Sequence, residues 1–366
     1  MGRRYFSKKI VKWYLENRRP LPWRETTNPY LIWLSEVILQ QTRVVQGLPY
    51  YHKFTDAFPT VFDLANASEQ EVLRLWQGLG YYTRARNLHK CAKVVAESYN
   101  GIFPSRSVEL QKLPGIGHYT AAAIASLAFN EKVAVIDGNV FRVLSRVFGI
   151  DTPINTPEGL KRFTTLANEL ISEGEPALYN QGVMEFGALF CTPKKPKCDD
   201  CPFRDSCFAF NQGLIQSLPV KLAQKKARKR YFYYLVIEKD NALLMKRREE
   251  RDIWHGLFDF FLIETTRLTD PEKLMNRPEY DDLRKSTIAV AVSEKYVHTL
   301  SHQTIHCNFI QLRAKRNFKR PAGNLTFYTY QEIDQLPKPV LISRFLADKS
   351  VLSSGKIGTF ESRLIF

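Results

Sequence analysis

Four of the six cysteines in this 366-residue chain stand in "CTPKKPKCDDCPFRDSC" as Cys191, Cys198, Cys201 and Cys207, with six, two and five residues between them. Three prolines keep the stretch from forming a continuous helix, so the loop must fold around something. Four thiolates within 17 residues satisfy either an iron–sulfur cluster or a tetrahedral zinc, and ligand count alone does not separate the two. The same loop carries Lys194, Lys195, Lys197 and Arg204, a cationic rim that suits a surface pressed against phosphates. Cys91 and Cys307 lie in apolar surroundings and are expected to pack as small hydrophobes.

A second stretch, "LPGIGHYTAAAIASLAF" from Leu113, sets two glycines before a run of small apolar residues that reads as a buried helix. Gly115 and Gly117 allow backbone angles and a close approach that side chains would block. The free amides opening the following helix then face outward, and its dipole favours an anion. With the helical stretch from Ser107 to Lys112, the pattern reads as a helix-hairpin-helix, a sequence-independent grip on a nucleic-acid backbone. On its own, "PGIG" is equally an ordinary turn.

Two carboxylates are placed where they could act as acid, base or charge stabiliser. Asp137, in "VAVIDGNVFRVLSRVF", ends an apolar run just before a helix; an aspartate there is also a plain N-cap, worth about 0.5–2 kcal/mol. Glu36, in "WLSEVILQQT", shares a helix face with Gln40 and Arg43 beside the stripe Trp33, Leu34, Val37 and Ile38. On periodicity alone it also reads as a surface glutamate.

These residues need elements to hold them. The length predicts two domains. From Ser7 to about Leu214 apolar residues recur at helical spacing, and Asn28 and Ser68 read as helix starts. "VKLAQKKARKR", Val220 to Arg230, holds six basic residues and no acid and suits a linker. After it come strand-like runs, "YFYYLVIE", "ALLMKR", "LFDFFLIE", "STIAVAV" and "TIHCNFIQL", then a short helical stretch near 340–347. The net charge of +16 draws the chain toward polyanions, nucleic acid first. No run of 18 apolar residues is present, so no membrane span is expected, and no membrane partner. With no apolar signal region either, a cytoplasmic location and reduced or metal-bound cysteines are expected.

Taken together, "LPWR" at Leu21, "WLSEVILQQT", "GLGYYTRARNLH" at Gly78, "LPGIGHYTAAAI", "VIDGNVFRVLSR" and the six-two-five cysteine spacing resemble the helix-hairpin-helix DNA glycosylases with a four-cysteine iron–sulfur loop. The MutY-type adenine DNA glycosylases are the nearest pattern. The resemblance covers residues 5–210 densely and the remainder more loosely.

It implies a mainly α helix-hairpin-helix glycosylase domain over 1–214 that includes the cluster loop, a basic linker over 215–230, and an α+β Nudix-like domain over 231–366. It implies a [4Fe-4S] cluster on Cys191, Cys198, Cys201 and Cys207. Glu36 would protonate adenine, and Asp137 would face the sugar, stabilising its cation electrostatically or as a brief adduct. Tyr119 stands where strand-cleaving relatives similar to endonuclease III carry a Schiff-base lysine. A phenol forms no imine, so a monofunctional enzyme leaving an abasic site is expected, with Tyr119 and Asn139 lining the pocket. Trp23, Arg24, Leu39 and Gln181 match positions around a flipped adenine, and Gln41 and Tyr81 match wedges that fill the opened stack.

The second domain lacks the glutamate-rich box of active Nudix enzymes after "LFDFFLIE", so no second hydrolase activity is expected. Ser301 and His302 match the family's contacts to 8-oxoguanine, although Leu300 replaces its usual phenylalanine. The implied partner is double-stranded DNA with A:8-oxoguanine or A:G mispairs, bound by a monomer in a bacterial cytoplasm, in association with the nucleoid. His298, His302 and His306 recur every four residues, but in a strand-turn-strand pattern that does not gather them for a metal. Two rival readings remain: a pyrimidine or thymine-mismatch glycosylase on the same scaffold, and a non-catalytic DNA-binding module.

Overall fold

The computed structural model describes residues 3–171, 174–223, 227–300 and 302–348. The chain forms two compact units, residues 1–67 with 86–224, and residues 68–85 with 225–366. By its contacts the segment 68–85 groups with the second unit.

The first unit is helical. Helix Pro29–Leu39 begins where the Asn28 side chain accepts a hydrogen bond from the Tyr30 amide, with Pro29 in the first turn, a pairing of cap and proline that fixes the start. Phe6, Ile10 and Tyr14 of helix Arg3–Asn17 share one core with Val143, Leu144 and Val147 of helix Gly138–Phe148, Phe163 of helix Pro157–Leu170, and Phe186 of helix Pro176–Leu189. Phe203 and Cys207 belong to the same core, so the cysteine loop is built into it.

The hairpin runs from helix Ser107–Leu110 to helix His118–Phe129. Gly115 has φ +76, and a Cβ there would lie 2.6 Å from the Asn87 Cβ, so both its conformation and its surroundings require glycine. Gly117 differs from expectation. Its φ of −89 and ψ of 178 are ordinary extended backbone, and nothing within the chain would meet a Cβ; only a ligand's approach could demand glycine here. The following helix buries Ala121, Ala122, Ala123 and Ala125 and packs against helix Pro29–Leu39.

The second unit is built on a mixed sheet of β1 (Arg228–Lys239), β2 (Ala242–Arg247), β3 (Phe258–Thr265), β4 (Thr287–Val292), β5 (Tyr296–Thr299), β6 (Gln303–Ala314) and β7 (Thr326–Thr329). Their order is β4-β6-β1-β3-β2-β7, with β5 also paired to β6. Among the described residues only the β1–β6 pair is parallel, in register from Arg228 opposite Gln303 to Glu238 opposite Arg313. Asp240 and Asn241, both at positive φ, make the tight turn between β1 and β2. Phe232 to Ile237 are all buried because β1 is covered on both faces. Tyr233, Leu235 and Ile237 pack with Leu274, Met275 and Leu283. On the other face Tyr234 meets Phe260 and Phe309, and these in turn meet Phe345 of helix Val340–Asp348.

Within the expected linker, 215–230, some residues before 224 pack on the helical unit. Val220 accepts from the Ile154 amide at 3.0 Å and Leu218 from Arg146 Nε at 3.0 Å, while β1 already begins at Arg228. His298 pairs opposite Ile305 and His306 opposite Val297, so these two histidines point to opposite faces of the β5–β6 ribbon.

Candidate active site

Glu36 does not lie on a surface. Helix Pro29–Leu39 buries every residue from Ile32 to Ile38, and Glu36 is 8% exposed. The hairpin helix covers it. The Tyr119 hydroxyl donates to Glu36 Oε2 at 2.7 Å, and Gln40 Nε2 donates to Thr120 Oγ1 at 3.2 Å. Burial raises the Glu36 carboxyl from 4.5 to about 7; the Asp137 charge pushes the same way, while the Tyr119 bond and Arg24 oppose it.

Asp137 is the N-cap of helix Gly138–Phe148. Its Oδ1 accepts from the amides of Asn139 at 2.9 Å and Val140 at 2.8 Å, and its Oδ2 from Asn139 Nδ2 at 2.7 Å. Burial raises its pKa, against the pull of these donors and of Arg142. Two carboxylates 101 positions apart in sequence thus share one electrostatic neighbourhood with unlike partners. One hydroxyl meets Glu36, whereas three N–H donors meet Asp137 and favour its charged form. Tyr119 also lines a cavity of about 600 Å³ with Ala122, Ile136 and Leu160, but neither Glu36 nor Asp137 lines it.

Sequence reasoning missed the groups that brace this pair. Arg142 Nη2 donates to Asn139 Oδ1 at 2.8 Å and to Gly187 O at 2.6 Å, and its Nε to Cys191 O at 2.7 Å. A Cβ on Gly187 would lie 2.6 Å from the Asn139 Cβ, so glycine lets that helix close on Asn139. One line of hydrogen bonds therefore runs from Asp137 through Asn139 and Arg142 to the cysteine loop. Glu185, 1% exposed, takes paired hydrogen bonds from both Arg24 and Arg19 at 2.6 to 2.8 Å, which hold its carboxyl down at about 2. Nothing in the local pattern marks Glu185 as buried; its partners lie over 160 positions away.

The other expected pocket residues sit in the same unit with partners of their own. Arg24 is fixed on Glu185 but acts on Glu36 through its charge. Trp23 packs edge-on to Tyr51 at 5.1 Å. Gln181 accepts from the Tyr14 hydroxyl, and Leu39 lies against Gly47. Gln41 and Tyr81 both have left-handed backbones, φ +56 and +52, strain of the kind that gathers at functional positions. Tyr81 and His302 belong to the second unit; His302 O accepts from the Arg228 amide at 3.0 Å, and Ser301 lies outside the described residues.

The four loop cysteines are free of disulfides. Burial and the neighbouring thiols push Cys198 and Cys207 up, and Cys201 up to about 12. Arg146 Nη1 donates to Cys191 Sγ and the Phe203 amide to Cys201 Sγ, each at 3.4 Å. Among the described residues no three or more His, Cys, Asp or Glu are grouped to hold a single metal ion. Neighbouring thiols with donors aimed at sulfur nevertheless fit an iron–sulfur cluster, whose iron supplies the positive charge that thiolates need. Arg146, 2% exposed, also donates to the carbonyls of Thr192, Pro193 and Leu218. Arg146→Met leaves those carbonyls unpaired, so a stability loss of at least about 3 kcal/mol and a lower iron-to-protein ratio are expected, read by thermal melting and iron analysis. An unchanged iron content shows that Arg146 does not hold the loop.

Residues 34–167 match the HhH-GPD superfamily of base excision DNA repair proteins, 191–207 the iron–sulfur binding domain of endonuclease III, and 232–348 a NUDIX domain. An adenine DNA glycosylase of Buchnera aphidicola (subsp. Acyrthosiphon pisum) is 34% identical over 352 residues, 93% of this chain and 97% of that protein. The Rattus norvegicus adenine DNA glycosylase is 42% identical over 226 residues, 58% of this chain and 44% of that one. The chain belongs to the adenine DNA glycosylase family.

Among solved structures, a thermostable thymine-DNA glycosylase aligns with TM-score 0.54 and 33% identity over 57% of this chain and 97% of its own. A trapped endonuclease III–DNA covalent intermediate aligns with TM-score 0.51 and 22% identity over 58% and 99%, a likeness of fold. The chain is thus an iron–sulfur DNA glycosylase of base excision repair. Among the described residues no helix is long and apolar enough to cross a membrane.

Proposed function

We propose that the chain removes adenine mispaired with 8-oxoguanine or guanine, as a monofunctional glycosylase that leaves an abasic site. The observation that carries this reading is the Tyr119–Glu36 hydrogen bond, with Asp137 close enough to raise the same carboxyl.

Adenine must leave the duplex to be reached, and as a neutral base it is a poor leaving group. Glu36, titrating at about 7, still holds a proton near neutral pH and delivers it to a ring nitrogen as the C–N bond breaks, the bonding pair going to the base. The carboxylate of Asp137, fixed by three donors, stabilises the oxocarbenium-like sugar. Water then adds to the anomeric carbon, and its proton restores the Glu36 acid. Tyr119 orients the acid and offers no amine for an imine, which supports base removal without strand cleavage.

Cys191, Cys198, Cys201 and Cys207, on a loop braced by Arg142 and Arg146, would hold a [4Fe-4S] cluster that would keep the loop in shape. Gln41 and Tyr81 would fill the opened stack, and His302, with Ser301, would contact 8-oxoguanine. The enzyme would act as a monomer in the cytoplasm.

Single-turnover assays on A:8-oxoguanine, A:G and T:G duplexes, with and without alkali, test this. Strand breaks only after alkali, and only at adenine, are expected. Breaks without alkali overturn the monofunctional assignment, cleavage at T:G favours a thymine glycosylase, and tight binding with no cleavage favours a non-catalytic module.

The proton on Glu36 also predicts the pH profile. The acid form is present below its pKa, so excision falls as pH rises through about 7. The Tyr119 bond favours the ionised carboxyl, so Tyr119→Phe moves the alkaline limb to higher pH. A limb that stays in place shows that Glu36 is not the titrating acid.

A further inference from the structure

Tyr81 is held in its left-handed conformation by its own segment. Trp76 Nε1 donates to Gly80 O at 3.0 Å, and the Arg84 guanidinium lies over the rings of Trp76 and Tyr81 at 5.1 and 5.7 Å. The segment is in turn fastened to the end of the C-terminal unit. Gln77 Oε1 accepts from the Lys338 amide at 3.0 Å and Gln77 Nε2 donates to Ser343 Oγ at 3.1 Å. The Tyr82 hydroxyl donates to Lys338 O at 3.4 Å.

Lys338 is itself fixed, 5% exposed, with its Nζ donating to the carbonyls of Ile333 and Leu336. Beyond it, helix Val340–Asp348 lays Phe345 flat on Phe309 of β6, ring centroids 4.0 Å apart and 12° from parallel. Asp348 of the same helix accepts from the Tyr296 hydroxyl of β5 at 2.9 Å. β5 and β6 are the strands whose connecting turn ends at His302. One helix therefore touches Tyr296 and Phe309, in the two strands that flank that turn, and is hydrogen-bonded to Gln77, four residues before Tyr81.

We propose that Gln77 is a positioning residue that makes base flipping depend on the base opposite. It ties the Tyr81 segment to helix Val340–Asp348, so the docking of the β5–β6 turn on the opposite base sets where Tyr81 stands. The proposal rests on the reading of Tyr81 as wedge and His302 as lesion contact. Rigid elements shared by two contacts can carry such coupling, but only a coupling measurement demonstrates it.

The test uses the full-length, iron-loaded protein. Gln77→Leu removes both hydrogen bonds at similar volume, Ser343→Ala removes one, and Gln77→Glu keeps the acceptor for Lys338. Flipping is read from 2-aminopurine fluorescence at the adenine position, opposite 8-oxoguanine or guanine, alongside single-turnover excision on the matching adenine duplexes. Gln77→Leu is expected to lower the 8-oxoguanine-over-guanine ratio about tenfold, within the usual span of site-to-site coupling, with excision opposite guanine unchanged. Ser343→Ala gives a smaller loss and Gln77→Glu restores part of the ratio. A wild-type ratio in Gln77→Leu, or equal losses opposite both bases, overturns the proposal. A wild-type enzyme that does not distinguish the two partners overturns the lesion reading itself, and the coupling falls with it.

Discussion

Glu36→Gln is expected to slow single-turnover excision by about 10²–10⁴ while duplex affinity stays within a few-fold. The amide keeps an acceptor for the Tyr119 hydroxyl, now 2.7 Å from Glu36 Oε2, so the pocket geometry survives and only the proton is lost. The same substitution carries a stability signature of definite sign. The folded-state pKa is raised, from 4.5 to about 7. The wild type is therefore at full stability below about pH 4.5 and loses stability as pH rises through about 7, when a buried charge forms. At one pKa step per 1.36 kcal/mol the cost at alkaline pH is about 3 kcal/mol. Glu36→Gln avoids it, so its melting temperature should exceed the wild type's at pH 8.5 and the difference should shrink toward pH 4. Melting scans across pH check this directly. A gain that is equal at both ends, or excision at the wild-type rate, removes Glu36 from the acid role. A stabilising substitution that destroys activity is what a strained catalytic site predicts.

That Glu36 is buried could not be read from its own helix. Periodicity locates the wet face of a helix with only one packed side, but Pro29–Leu39 is covered from several directions. The covering helix lies some eighty positions further on. Caps, by contrast, act over three residues and were legible: Asn28 and Ser68 start helices as expected, and the Ser68 cap is closed reciprocally by Glu71. The cysteine spacing and the longer strands were legible for the same local reason.

Arg142 and Arg146 show the opposite case. They stand four apart beside the apolar stripe of their helix and look solvent-facing, yet both are buried. Their partners are mostly backbone carbonyls in the cysteine loop and beyond, and carbonyls leave no mark in a sequence. β5 and β7 have four residues each, too few for alternation to show. The attachment of residues 68–85 depends on contacts with groups over 250 positions away. The family resemblance brought Glu36 and Asp137 into one hypothesis; the folded chain supplies the hydrogen bonds on which their proposed roles rest.

Asp137 poses the sharper question, because its three hydrogen bonds would be explained as well by capping as by catalysis. Asp137→Asn separates the two. Asparagine caps helices about as well as aspartate, so the amides of Asn139 and Val140 keep their acceptor. The position of Oδ2, which now accepts from Asn139 Nδ2, would hold an amide nitrogen. Asn139 cannot simply turn over, since Arg142 holds its Oδ1, and this mismatch costs about 1 kcal/mol. Stability should therefore fall little, whereas excision should fall by about 10²–10³ through loss of the charge that faces the sugar cation. Asp137→Ala should add the cap loss of about 0.5–2 kcal/mol to the same catalytic defect. The charge at 137 also raises the Glu36 carboxyl, so whatever activity remains in Asp137→Asn should lose its alkaline limb at lower pH than the wild type, opposite to Tyr119→Phe. Near-normal excision in Asp137→Asn, with a defect confined to Asp137→Ala and proportional to its unfolded fraction, reduces Asp137 to a cap. A pair of limb shifts of opposite sign places both carboxyls in one titrating site, because only a shared site lets a neutral side chain at 137 and a missing hydroxyl at 119 move the same proton in opposite directions.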